Sequence, residues 1–163
     1  MVSARSVAAA VVDPEMPMLT LDDLGVLRDV RAAGDAVTVT ITPTYSGCPA
    51  LEAIRDDLRA ALTEAGYRSV EVRTALSPPW STDWISDAGR AKLAEHGIAP
   101  PGRIGPRAAG PIPLTLGRPP ARVACPRCGS TATEELSRFG PTACTALHRC
   151  TACREPFEHV KEI

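Results

Sequence analysis

Aromatic residues are scarce in this chain: two Trp, two Tyr and two Phe, 4% of 163 residues. A surface that stacks nucleic-acid bases needs more of them. Net charge is nearly absent too, at −1, so no global field draws the chain to phosphate or to an anionic membrane. The apolar Val7–Val12 run is far shorter than the ~20 residues a membrane-spanning helix needs. It also runs straight into Asp13-Pro14-Glu15 without a cleavage site. Neither a nucleic-acid nor a membrane partner is expected, and the expected setting is a reducing cytoplasm.

Cysteine and proline, by contrast, are plentiful. Four of the six cysteines fall into two C-x-x-C pairs, Cys125/Cys128 and Cys150/Cys153. Each pair offers two thiolates from one tight turn, and two such knuckles supply the four soft ligands of a tetrahedral zinc. Thr131–Arg138, Ala146–Arg149 and Pro156–Val160 are the expected ribbon strands. About 40 residues cannot stabilise themselves by burial alone, so the metal is the expected source of folding energy. An iron–sulfur cluster also takes four cysteines, but hairpin-paired knuckles favour zinc. On this reading the ribbon unfolds without its metal and spares the rest of the chain. Cys144 reads as a small buried hydrophobe or a functional thiol. His148 and His159 read as strand residues, with metal ligation left open.

The sixth cysteine, Cys48, lies in Thr42-Pro43-Thr44-Tyr45-Ser46-Gly47-Cys48-Pro49, between an alternating strand (Val37, Val39, Ile41) and an amphipathic helix striped by Leu51, Ile54, Leu58 and Leu62. Pro49 suits a first helical position, which puts Cys48 at or beside the N-cap. Free N–H groups and the helix dipole there favour a thiolate, so a depressed Cys48 pKa is expected.

The remaining elements follow from the pattern. A short helix over Ser3–Val12 stops at Asp13-Pro14, since the residue before proline disfavours helical angles. Asp13 to Pro17 forms an acidic turn, Thr20 caps a helical turn ended by Gly25, and Val26–Arg31 is a strand. Ala33-Gly34-Asp35 turns into the Val37–Thr42 strand, the helix from Pro49 closes at Gly66, and Ser69–Ala75 is a third strand parallel to the second. Ser86 caps a last helix, Asp87–His96. Residues 99–120 hold seven prolines, four glycines, three arginines and no acid, the composition of a semi-extended linker. The expected organisation is therefore α+β: a small mixed-sheet domain over 1–98, a linker over 99–120 and a zinc ribbon over 121–163.

These residues carry a resemblance. Asp13-Pro14-Glu15, the Asp22–Val26 segment and Thr42-Pro43-Thr44 leading to Gly47-Cys48-Pro49 are similar to iron–sulfur assembly factors of the SufT type. With the Ser77–Trp80 loop, Cys125-Pro126-Arg127-Cys128-Gly129-Ser130, Phe139-Gly140 with Cys144, and Arg154-Glu155-Pro156-Phe157, residues 5–163 resemble the PaaD family of phenylacetate-degradation proteins. The resemblance implies an accessory or maturation factor of a multicomponent phenylacetyl-CoA epoxidase, not the oxygenase itself. It implies oxygenase or reductase subunits as partners, with Cys48, Asp13, Glu15, Thr42 and Thr44 as the working surface. Iron or an Fe–S cluster would be held there transiently, since one cysteine cannot hold a cluster tightly; a homodimer or a partner's thiols would complete the shell. A non-catalytic docking or regulatory subunit is the alternative. A thiol enzyme would need a base within reach of Cys48, and no histidine lies in its segment.

Overall fold

The computed structural model describes residues 3–45, 47–105 and 123–163. Helix α1 (Ala4–Ala9) opens at Ser3, whose hydroxyl accepts the Ser6 amide at 3.1 Å. It is shorter than the pattern suggested, because Val12 leaves it to form a bridge with Thr20. Between those two residues the chain turns on Asp13, whose Oδ1 accepts the Glu15 and Met16 amides at 2.9 and 2.8 Å. Thr20 and Asp23 then cap one another: the Asp23 amide bonds the Thr20 hydroxyl, and Asp23 Oδ2 accepts the Thr20 amide.

Strands β1 (Leu27–Ala33) and β2 (Ala36–Ile41) form an antiparallel hairpin across Gly34, at φ +63°. Helix α2 (Leu51–Glu64) crosses to β3 (Ser69–Thr74), which pairs parallel to β2, giving a mixed sheet in the order β1-β2-β3. The alternation in β2 buries Val37, Val39 and Ile41. Ile54, Leu58 and Leu62, one to each turn of α2, join them in one core. Each such side chain contributes about 1.5–3 kcal/mol by burial.

The proline loop covers the other end of this core. Trp80 is buried and donates from Nε1 to the Leu24 carbonyl at 2.9 Å. The backbone and Cβ of Trp84 lie so close over Gly25 that a Cβ there would meet the Trp84 oxygen at 2.6 Å, at a φ of +68°. Ser86 accepts the Gly89 amide at 2.9 Å and opens the next helix, α3 (Asp87–Glu95), as the sequence suggested.

The second sheet contains a strand that the pattern did not reveal. Ile98–Ala99 (β4) pairs parallel to β7 (Pro156–Val160), which pairs antiparallel to β6 (Thr145–Cys150), and β6 to β5 (Thr133–Ser137), in the order β4-β7-β6-β5. The end of the N-terminal segment is thus part of the ribbon's sheet. Beyond it, residues 100–105 run over α3: Arg103 reaches Asp87 at 2.6 Å, and the Ile104 and Gly105 amides bond Asp83, each at 2.9 Å. The rest of the expected linker, residues 106–120, lies outside the described residues.

The ribbon shares packing with the first sheet. Cys144 and Val160 belong to the same buried cluster as Val39, Leu58 and Trp80, and the Thr82 amide bonds the Ile163 carbonyl at 3.1 Å. The expectation that the ribbon can unfold and spare the rest does not survive this. Two of its side chains are core residues of the other sheet's domain.

Candidate functional site

Two centres stand out. In the ribbon, Cys125 and Cys150 each open a tight turn. The Gly129 amide closes the first on the Cys125 carbonyl at 2.9 Å with Gly129 at φ +73°, and Arg154 takes the corresponding left-handed position, φ 65°, in the second. All four sulfurs lie within 4.8 Å of one another, with Cys125 to Cys153 at 3.7 Å and Cys128 to Cys150 at 3.6 Å. A tetrahedron with Zn–S bonds of about 2.3 Å has edges of about 3.8 Å, so the set fits zinc. A disulfide would bring two sulfurs to about 2.05 Å, and all six cysteines are free. The Cys153 N–H lies 3.5 Å from Cys150 Sγ, a donor placed to favour the thiolate that a metal requires.

The second centre surrounds Cys48, at the seam between the two sheets. Cys48 is half-buried and packs on the shared core. Helix α2 begins at Leu51 rather than Pro49, with Ala50 as its cap residue and a turn closed by the Leu51 amide on the Cys48 carbonyl at 3.2 Å. Burial pushes the Cys48 thiol up. The Ala50 N–H pulls it back, and the Glu15 and Asp13 carboxylates and the Cys144 thiol push it up further. The expected depression is therefore reversed. The helix supplies one N–H, whereas burial and two acidic side chains act against the thiolate together. Alkylation of Cys48 in the zinc-loaded protein should accordingly show a midpoint above that of an ordinary cysteine, and a midpoint below it would overturn this electrostatic picture.

The chain has relatives that bear on both centres. Residues 110–161 match the family model described as PaaD zinc beta ribbon domain, and residues 5–74 the one described as Iron-sulfur cluster assembly protein. A protein of Escherichia coli (strain K12), provisionally named as one of the subunits of 1,2-phenylacetyl-CoA epoxidase, is 44% identical over 91% of this chain and 85% of its own length. The chain belongs to the PaaD family. The Fe-S protein maturation auxiliary factor SufT of Staphylococcus aureus (strain USA300) is 33% identical over 51% of this chain and 96% of its own. A crystal structure of a domain of unknown function, DUF59, from Bacillus anthracis aligns with a TM-score of 0.52 at 29% identity, covering 55% of this chain and 87% of that one. The resemblance to PaaD proteins and to SufT, and the fold it implied, are thus found.

Within this PaaD chain, the structure brings Asp13, Glu15 and Cys48 into one electrostatic neighbourhood. Thr42 is a core residue, 2% exposed, with its amide on the Val26 carbonyl at 2.9 Å; Thr44 is only part-buried. The residue that sequence reasoning did not connect to this centre is Cys144. It comes from the ribbon, and no local spacing ties it to Cys48. Tyr45 joins the group, its hydroxyl pushed up by burial and by Cys48, Glu15 and Cys144. His148 and His159 lie apart in the ribbon, edge to face with centroids 5.2 Å apart. Both are buried, and burial holds both toward the neutral form. No helix among the described residues is long and apolar enough to cross a membrane.

Proposed function

We propose that this chain is a non-catalytic accessory protein of a phenylacetyl-CoA epoxidase system. It holds iron or an Fe–S fragment transiently at Cys48 and the acidic turn, and passes it to an oxygenase or reductase subunit. The observation that carries this reading is the setting of Cys48: burial first raises its thiol, and the side chains that add to the shift are the Glu15 and Asp13 carboxylates and the Cys144 thiol, with no imidazole among them. A nucleophilic cysteine needs a base to make its thiolate. A thiol kept protonated beside carboxylates instead exchanges protons for a cation, with a grip that is loose and pH-dependent. Loose holding suits a carrier. The zinc of the ribbon, held by Cys125, Cys128, Cys150 and Cys153, then has the structural task of fixing the ribbon against the seam.

The names of the 44% identical relative and of the maturation factors support the same direction. The test is the iron and cluster content of the epoxidase components produced with and without this protein under iron limitation. Under-loaded components in its absence are the expected result. Equal loading would remove the maturation reading in favour of a docking role. That second reading has its own observation, the Phe139 and Leu136 side chains, 78% and 49% exposed on the ribbon.

A further inference from the structure

Helix α2 carries two stripes. Ile54, Leu58 and Leu62 enter the core, while Asp57, Ala60, Ala61, Glu64 and Ala65 recur at three- and four-residue steps on another face. That second face borders an open groove of about 740 Å³, walled on the α1 side by Val7, Val11 and Val12. Much of this wall is in contact with solvent. Val12 is 44% exposed, Ala60 and Ala65 are exposed too, and Val7 and Val11 are only half-buried. From Asp57 to Ala65 the α2 side runs about 12 Å, a little over two helical turns.

The rim carries charge of one sign. Asp57 and Glu64 both line the groove, about two turns apart along α2. The two arginines of α2 are engaged with other acids, Arg55 with Glu52 at 2.6 Å and Arg59 with Asp56 at 2.9 Å. Among the described residues neither Asp57 nor Glu64 takes part in an ion pair, and no Lys or Arg lines the groove.

These features restrict the occupant. A phosphate-bearing ligand or an anionic membrane would meet two like charges. A second copy docked about a two-fold axis would bring two patches of the same negative sign together. A helix of another protein meets neither obstacle. Its apolar ridge fills the groove, where alanines admit a close backbone, and a cation on its flank answers each acid.

We propose that the α1–α2 groove docks one amphipathic helix of a partner protein, apolar on its buried side and bearing Lys or Arg about two turns apart. The site involves neither Cys48 nor the zinc knuckles, so it goes beyond the carrier reading and is tested apart from it.

The probe is a labelled synthetic amphipathic helix of about 18 residues, long enough to hold helical structure. Leu and Ala form one face, with Lys flanking it two turns apart; a counterpart peptide carries Glu at the Lys positions. In anisotropy titrations with the zinc-loaded full-length protein, the Lys peptide should bind roughly tenfold more tightly than the Glu peptide. The difference should shrink as salt is raised. The double variant Asp57→Lys, Glu64→Lys should invert the preference. Both positions are exposed, and lysine at the C-terminal end of α2 complements the helix dipole, so this variant keeps its fold. Ala60→Trp, at an exposed position of the groove, should abolish binding at an unchanged zinc content. Failure of the Lys peptide to bind, equal binding of the two peptides, or binding that survives Ala60→Trp would each overturn the proposal. A wild-type dimer that Ala60→Trp splits would overturn it as well, because the occupant would then be a second copy. None of these outcomes touches the Cys48 reading, which iron loading of the epoxidase components decides.

Discussion

Cys150→Ser is expected to abolish zinc binding and to unfold β5, β6 and β7. Cys150 is the most buried of the four ligands, at 0% exposure, and its sulfur also accepts the Cys153 amide. Structural zinc in small domains is worth about 10–16 kcal/mol of apparent binding energy, so loss of one thiolate removes several kcal/mol. The ribbon's own core, Ala99, Val123, Cys125, Cys150 and Phe157, is too small to compensate. The damage should then cross the seam. Val160 and Cys144 leave the larger core, β4 loses its partner strand, and the Thr82–Ile163 hydrogen bond is lost. Native mass spectrometry should show no zinc. Hydrogen exchange should show full loss of protection in the ribbon, with β1, β2 and β3 retaining protection at a lowered melting temperature. A zinc-bearing Cys150→Ser protein would overturn the ligand assignment; an unchanged melting temperature for the N-terminal sheet would overturn the shared core.

What the sequence made legible was whatever its own neighbours determine. The alternation of Val37, Val39 and Ile41 reports a strand with one buried face, and the Ile54–Leu58–Leu62 spacing reports a helix lying on it. Paired C-x-x-C turns report a metal because both sulfurs of each pair come from one local turn. Ser86 as a cap and Gly34 as a hairpin turn are local in the same sense. The failures share the opposite property. Ile98–Ala99 is a strand only because β7 lies beside it, and two residues carry no pattern. Pro49 signalled a helix start, but the turn from Cys48 to Leu51 intervenes and the helix begins later. The expected ionisation of Cys48 rested on a nearby helix end. Its actual direction is set by burial and by Glu15, Asp13 and Cys144, which only the fold brings near. Sequence could nominate Cys48 and the acidic turn together only by resemblance, and nothing in the spacing of Cys144 pointed to them.

Cys48→Ser is expected to leave the fold and the zinc in place while greatly reducing active epoxidase in cells that depend on it. The structural half follows from the position. Cys48 is half-buried at the seam rather than deep in the core, and serine is slightly smaller. A serine is also well tolerated beside a helix start. Stability should therefore change by no more than about 1 kcal/mol, within the range of substitutions that open no large cavity. One zinc per chain and a near wild-type melting temperature are the checks. The functional half follows from chemistry, because a hydroxyl is a hard, barely acidic donor. It cannot exchange its proton for a thiophilic cation at neutral pH as a thiol can. The loss should appear as under-metallated iron components and should be largest when iron is limiting, where an assisted route matters most. Loading by the wild type should itself weaken as pH falls, because the Cys48 thiol is held protonated by burial and acidic neighbours, and protons compete with the cargo. Cys150→Ser would lower activity by a different route, with lost zinc and a softened seam, so the two variants separate the structural metal from the working thiol. Normal growth on phenylacetate by the Cys48→Ser strain under iron limitation, with fully loaded components, would take the maturation role away from Cys48. The exposed ribbon surface around Phe139 would then be the place to look for what this chain contributes to its complex.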